Sequence, residues 1–284
     1  MPKIGIIPNT SKDECGVIMR EFFEGIDGRA QLFVPAQDKI KEEDFFTVLE
    51  REDFFKTVDV IVVLGGDGSI LRAAPEAAKE GKPILGINLG RLGYLASAEK
   101  ASAKIAAKKL LDGDYKIREH MMLETHYVNH EGKPHTILAL NDVVAARSES
   151  GRIIEIVVYV GDEYVDTYMA DGIVIATPTG STAYSLSAGG PVAYPTMDMF
   201  VVTPICSHDL HSRSIVIPYD KKITIKLGHK YDYKALMTVD GQIVHPMEKD
   251  DCFTVSMAPV RTKLIKMDDF GFYDLLRSKL KGTV

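Results

Sequence analysis

The sequence predicts an α/β N-terminal domain with a parallel sheet, followed by a β-rich C-terminal domain. Three observations carry that reading. Up to about Tyr115, short apolar runs alternate with segments of helical periodicity, the rhythm of a parallel sheet with right-handed crossovers. Beyond it, alternating segments such as Ile154, Ile156, Val158, Val160 and Ile223, Ile225, Leu227 are separated by turn residues, as in a sandwich or similar all-β domain. Near the end, Phe272, Leu275, Leu276 and Leu280 restore a helical face, which should pack back on the first domain. The expected division is 1–115 with 268–284 returning to it, and 116–267.

Lys3 to Ile7 reads as the first strand, closed by Pro8-Asn9. Cys15, Ile18, Met19, Phe22, Phe23 and Ile26 then fall on one helical face, and Gly28 stops that helix. Gln31 to Val34 is a second strand, and a charged helical stretch is expected to run to about Lys56. Asp59 to Leu64 is an apolar, β-branched run suited to a strand buried on both faces. A helix over Ile70 to Glu80 follows, with Ser69 as its expected N-cap. Pro83 to Asn88 supplies another strand, and Ala103, Ala106, Ala107 and Leu110 give a helix ending near Gly113. In the second half, turns are expected at Glu131-Gly132-Lys133, Gly161-Asp162 and Asp240-Gly241.

Composition narrows the function classes. The net charge of −6 over 284 residues, without any basic run interleaved with aromatics, argues against nucleic-acid binding. No apolar stretch approaches the ~20 residues that span a bilayer, so no membrane role is expected. Met1-Pro2-Lys3-Ile4 leads into a strand and reads as no signal peptide. The three cysteines, Cys15, Cys206 and Cys252, are widely spaced and fit a reducing, cytoplasmic setting.

Two stretches carry chemistry. In Gly65-Gly66-Asp67-Gly68-Ser69, glycine permits a sharp strand-to-helix turn and a close approach of phosphate to the main chain. A carboxylate beside such an anion is repulsive unless it has a use. For Asp67 that use is either taking a proton from an attacking hydroxyl or holding a divalent cation. The alternative is a tight turn with Asp67 capping the helix. Gly86 to Leu95 is a second glycine-punctuated turn at the same sheet edge, readable as a packing loop. The other stretch is Ala170 to Pro191, where a strand runs into Thr177-Pro178-Thr179-Gly180-Ser181-Thr182-Ala183-Tyr184-Ser185-Leu186-Ser187 and then Gly189-Gly190-Pro191. Hydroxyls and free N–H groups suit sugar and phosphate, and Tyr184 offers a flat face. Upstream, Asn141 and Asp142 lie within an apolar run and need a ligand or a structural partner. His208 and His211 would need a helix to share a metal, and their surroundings do not read as one. There is no Walker A motif and no G-x-G-x-x-G.

Gly65-Gly66-Asp67-Gly68, Asn141-Asp142, Thr177 to Pro191, Pro204-Ile205-Cys206 through Ser212-Arg213, and Asp240-Gly241-Gln242 occur in the order seen in bacterial NAD kinases, which this chain resembles over nearly its whole length. The resemblance implies transfer of the ATP γ-phosphoryl group to the adenosine 2′-hydroxyl of NAD, with a divalent metal cation, Mg2+ or Mn2+. It implies that Asp67 is the proton acceptor, with Gly68 and Arg72 in the same motif. Asn141 and Asp142 become nucleoside contacts, and Arg152 and Asp171 line the dinucleotide site. Thr182, Ala183, Tyr184, Ser185 and Ser187 belong to the nucleotide-holding loop, with Tyr184 near the adenine, and Gln242 is a late contact. Ser69 stands where the family usually has threonine, and Met169 where some members carry a basic residue. The family's dinucleotide site lies near a subunit interface, and the β-rich half has edges that pairing would cover, so a homodimer or homotetramer is expected. Two other functions share the Gly-Gly-Asp-Gly turn or the fold: a lipid or sugar kinase, and a non-catalytic dinucleotide-binding regulator.

Overall fold

The computed structural model describes the chain except residues 13–14, 37–44, 91–92, 149–151, 230–233, 268–270 and 281–284 and the side chains of 243–244. It divides into two compact units, 1–119 with 262–284, and 120–261.

The first unit opens with β1 (Lys3–Pro8), α1 (Cys15–Ile26), β2 (Gln31–Pro35), β3 (Thr47–Leu49), α2 (Arg51–Thr57), β4 (Val60–Leu64), α3 (Asp67–Lys79), β5 (Pro83–Asn88), β6 (Ala98–Glu99) and α4 (Ala103–Asp112). All sheet pairings here are parallel, in the order β5, β4, β1, β2, β3, with β6 beside β5. The chain therefore leaves β1 in one direction and returns to its other side at β4. Beyond the carboxyl ends of strands at such a reversal, α/β sheets bind their ligands. The expected face of α1 is inward at Cys15, Ile18, Met19, Phe22 and Ile26, and that of α4 is buried at all four positions. Left-handed Gly28 and Gly113 end these helices.

The second unit holds the rest of β7 (Lys116–Val128), then β8 (Pro134–Ala139), β9 (Asp142–Arg147), β10 (Ile154–Val160), β11 (Glu163–Ala170), β12 (Gly172–Ala176), α5 (Tyr184–Ser187), β13 (Met199–Ile205), β14 (Ile215–Pro218), β15 (Ile223–Leu227), β16 (Lys234–Val239), β17 (Ile243–Glu248) and most of β18 (Cys252–Lys266). Strands β14, β13, β12, β9, β16 and β17 form one antiparallel sheet. Strands β11, β10, β15 and β18 run antiparallel in another. Alternate residues of both, including Ile154, Ile156, Val158, Ile173, Ile175, Phe200, Met237 and Phe253, share one apolar core. This is the sandwich the alternation predicts. The last residues of β18 and α6 (Phe272–Leu280) belong to the first unit.

Several expectations need correction. The charged stretch before Lys56 is not one helix: residues 37–44 lie outside the description, and Thr47–Leu49 is a short edge strand before the seven-residue α2. Three half-exposed residues beside β2 leave no alternation to read. Helix α3 starts at Asp67 with Gly66 as its N-cap, so Ser69 lies inside the first turn, buried. None of Gly65, Gly66 and Gly68 has a left-handed backbone. Asn141 precedes β9 rather than lying within it. On α6 only Phe272 is buried, and Leu280 is exposed.

Candidate active site

The loop after β4 is built around Asp67. Its Oδ2 accepts the Tyr94 N–H at 2.7 Å and its Oδ1 accepts the Leu95 N–H at 3.2 Å. Both donors come from the second glycine turn, whose Arg91 and Leu92 lie outside the description. That turn is therefore more than a packing loop. A Cβ on Gly93 would overlap all three carboxyl atoms of Asp67, so glycine there makes room for the carboxylate. Asp67 does not cap α3 through its side chain. Instead the main chain of another loop holds it in one orientation.

The glycines of the first turn have separate reasons. A Cβ on Gly65 would strike the Ser69 hydroxymethyl group, whereas Cβ atoms on Gly66 and Gly68 would meet only open space. Neither packing nor backbone conformation requires glycine at 66 or 68. Beside them, a pocket of about 200 Å3 is lined by Ile7, Pro8, Asn9, Thr10, Arg51, Ser69, Arg72 and Ala73. It opens at the carboxyl end of β1 and the head of α3, at the strand reversal. The Arg72 guanidinium donates to Ser69 Oγ at 3.1 Å, and Asn9 Nδ2 donates to the same oxygen at 3.4 Å. Arg51 is bound to Glu76 by two hydrogen bonds, which leaves the exposed Arg72 as the more available cation. The first N–H groups of α3 have no intrahelical acceptor, so pocket and helix end together suit an anion.

In the second unit Asp240 organises the Asn141 region. Asp240 and Gly241 both take positive φ, 49° and 66°, as the central residues of a primed turn closed by the Gln242 N–H donating to the Val239 carbonyl. The Asp240 carboxylate accepts the N–H groups of Leu140, Asn141 and Asp142 at 2.8–3.1 Å. Those donors favour its anion, while burial pushes its carboxyl upward. Asp142 is buried and pushed up to about 7, by burial first and by the Asp240 charge second. Asp142 therefore keeps its proton well above the usual carboxylate range. Gln242 is exposed at the same turn, its N–H donating to the Val239 carbonyl.

The hydroxyl-rich loop is divided in its use. Thr177 Oγ1 donates to the Leu140 carbonyl at 2.6 Å and accepts the Gly180 N–H at 3.0 Å. The Thr177 N–H donates to the Asn141 carbonyl, so this loop and Asn141 are brought together. Thr179 contacts His120 Nδ1 at 2.8 Å, and Ser181 donates to the Pro178 carbonyl at 2.6 Å. Ser185 is buried, 3.3 Å from Thr203 Oγ1. These hydroxyls serve the loop's own structure. Thr182 and Ala183 are half-buried, while Tyr184 and Ser187 are exposed, Tyr184 to 44%.

Asp171 is half-buried and pairs with Arg147, whose Nε lies 2.8 Å from Oδ1. Arg147 was not marked by any motif; only the pairing of β9 with β12 brings it there. Arg152 is exposed. His208 and His211 lie in bends and turns, and no group of three or more His, Cys, Asp or Glu able to hold a metal occurs among the described residues.

A glycine–aspartate turn beside a pocket suited to an anion, with no Walker loop and a second, β-rich unit, fits a class of ATP-dependent kinases, and comparison with known proteins identifies it. Residues 4–115 match the family model for the ATP-NAD kinase N-terminal domain, and residues 140–267 that for its C-terminal domain. The chain is 37% identical over 283 residues to the NAD kinase of Thermoanaerobacter sp. (strain X514), covering 99% of each. It is 38% identical over 286 residues to that of Symbiobacterium thermophilum, covering 100% of each. Among solved structures it resembles yeast NADH kinase complexed with NADH, at TM-score 0.84 and 24% identity, covering 99% of this chain and 87% of that one. It also resembles an NAD kinase from Archaeoglobus fulgidus in complex with ATP, at TM-score 0.76 and 22% identity, covering 100% of both. The chain belongs to the NAD kinase family.

Proposed function

We propose that this chain transfers the γ-phosphoryl group of ATP to the adenosine 2′-hydroxyl of NAD, giving NADP and ADP, with Asp67 as general base. The observation that carries the reading is the Asp67 carboxylate, fixed by two main-chain donors beside an anion pocket and two glycines that the protein's own packing does not need. The 2′-hydroxyl proton passes to Asp67 as the new O–P bond forms. The bond from the γ-phosphorus to the β–γ bridging oxygen breaks, and ADP leaves with that electron pair. A ribose hydroxyl is a weak acid, so a positioned carboxylate contributes on the order of 10²–10⁴-fold. Ser69, Arg72 and the N-terminus of α3 bind phosphate.

In the second unit we assign dinucleotide contacts to Asn141, Asp142, Arg152, Asp171, Thr182, Ala183, Tyr184, Ser187 and Gln242. Ser185 contributes through its main chain, its hydroxyl being turned to Thr203. Mg2+ or Mn2+ belongs to the reading as a partner of the nucleotide phosphates, which would supply ligands, as no group of three or more His, Cys, Asp or Glu able to hold a metal occurs among the described residues. The family assignment sets aside a lipid or sugar kinase. A cytoplasmic location fits the widely spaced cysteines, and among the described residues no helix is long and apolar enough to cross a membrane.

The test is NADP formation from NAD and ATP by wild type and Asp67→Asn. The amide keeps the size but not the proton-accepting oxygen, and turnover should fall by about 10²–10⁴-fold. A variant keeping more than about a tenth of the wild-type rate would remove Asp67 as the base. A wild-type chain that binds NAD and forms no NADP would instead support a non-catalytic regulator. We further assign a homodimer or homotetramer, since edge strands β11 and β14 expose Tyr164 and Val216. Light scattering of an active preparation at micromolar concentration that gave the mass of one chain would refute it.

A further inference from the structure

Lys266 lies near the end of β18, two residues past Leu264, which pairs in parallel with Ile84 of β5. Its Nζ donates to the Leu95 carbonyl at 3.1 Å. One residue earlier, the Ile265 carbonyl accepts from Ser97 Oγ at 2.5 Å. The Leu95 residue is thus held from two directions, since its N–H donates to Asp67 Oδ1. Lys266 is half-buried, and its ammonium gives up hydration that one carbonyl replaces only in part. Burial pushes Lys266 down to about 8, the Arg118 charge acts the same way, and the Asp67 carboxylate opposes both. Tyr94, on the same loop, has its phenol pushed up by burial first and by Asp67 second. The charged groups that act on Lys266 are therefore Arg118 and Asp67, and Asp67 also acts on Tyr94.

We propose that Lys266 is a positioning residue for Asp67: it fixes the 94–95 main chain that holds the carboxylate, and places a cation near it. The inference rests on the reading of Asp67 as base. When the ammonium loses its proton, the carbonyl keeps a weaker donor and Asp67 loses a neighbouring positive charge. Turnover should therefore decline as pH rises through about 8.

The experiment compares wild type, Lys266→Met, Lys266→Arg, Asp67→Asn and the Asp67→Asn/Lys266→Met double variant, with ATP and NAD saturating, from pH 6.5 to 9.5. Lys266→Met should lose on the order of ten- to a hundredfold in kcat, the scale of a base displaced by up to 1 Å, with KM for both nucleotides little changed. Lys266→Arg should recover most of that loss and move the alkaline decline upward, since arginine stays charged. In the Asp67→Asn background, Lys266→Met should add no further loss, because it acts through Asp67. Wild-type kcat in Lys266→Met would overturn the inference, as would an undiminished loss in the double variant. Where Lys266→Met does not fold, an alkaline limb left in place by Lys266→Arg decides against it. If Asp67→Asn alone keeps the wild-type rate, the base reading fails first and this inference falls with it.

Discussion

Gly93→Ala tests the Asp67 cradle without touching the carboxylate itself. The added methyl would lie closer than 3.0 Å to the carboxyl carbon and both oxygens, where ordinary contact needs 3.4–4 Å. Either the Asp67 side chain rotates away or the 93–95 main chain withdraws. In both cases the hydrogen bonds from Tyr94 and Leu95 lengthen or break together. Hydrogen bonds to charged groups contribute roughly 1.5–3 kcal/mol each, so the orienting energy at risk is about 3–6 kcal/mol. A displacement near 1 Å costs a reaction of this kind about 10²-fold, while complete loss of a general base sets the limit at about 10⁴-fold. We expect kcat for NADP formation to fall by about 10²–10³-fold, with KM for NAD and ATP nearly unchanged. Steady-state kinetics at saturating nucleotides, alongside a thermal melt, measures this. Gly93 is only half-buried, so the variant should remain folded. Wild-type kcat in a folded Gly93→Ala protein would show that the Asp67 cradle has no part in turnover.

Two further outcomes follow from the second unit. Tyr184→Ala removes a 44% exposed ring, so it should leave the melting temperature nearly unchanged while weakening NAD binding by about 0.5–1.5 kcal/mol beyond lost area; a lower melting temperature with unchanged NAD affinity by calorimetry would make it a packing residue. Asp142 keeps its proton in the folded state up to about pH 7, whereas the unfolded chain releases it near 3.8; the native state thus binds more protons between those values, stability falls as pH rises from about 4 to about 7, and it levels off above. Denaturant titration between pH 4.5 and 8 should show that slope in wild type and its loss in Asp142→Asn, and a slope shared by both would assign it elsewhere.

Much of this was legible in the chain. The β-branched run of β4 and the four-residue face of α4 could mean little else, because burial on two faces or on one helical stripe leaves a period in the residues. Asp67 stood out because a carboxylate among glycines is chemically odd. What could not be read were pairings. Arg147 meets Asp171 only through the register of β9 and β12, and Lys266 meets Leu95 only because β18 returns beside β5. Strands β3 and β6 are too short, at three and two residues, to show alternation. The hydroxyls of Thr177 to Ser187 looked alike in sequence. Only the folded loop separates those already hydrogen-bonded within the protein, Thr177, Thr179, Ser181, Thr182 and Ser185, from the exposed Tyr184 and Ser187.

The glycines carry the last distinction. At Gly65 and Gly93 a side chain would collide with Ser69 or Asp67, so the protein itself excludes one. At Gly66 and Gly68 a side chain would meet only solvent, and neither residue has the left-handed backbone that would favour glycine. Glycine at 68, in the first turn of α3, also adds nothing to helix stability that alanine would not. A glycine that answers to no neighbour in its own fold points to something outside the fold that must come close. Beside the head of α3 and the exposed Arg72, we infer that something to be an anion. On that reading Asp67 stands beside the phosphate's place, held in one orientation by the Tyr94 and Leu95 main chain. A carboxylate placed so near an anion's site is repulsive in the bound ground state. It becomes useful when a hydroxyl proton has to leave, which is why the base reading accounts for the same four residues that a mere turn would leave unexplained.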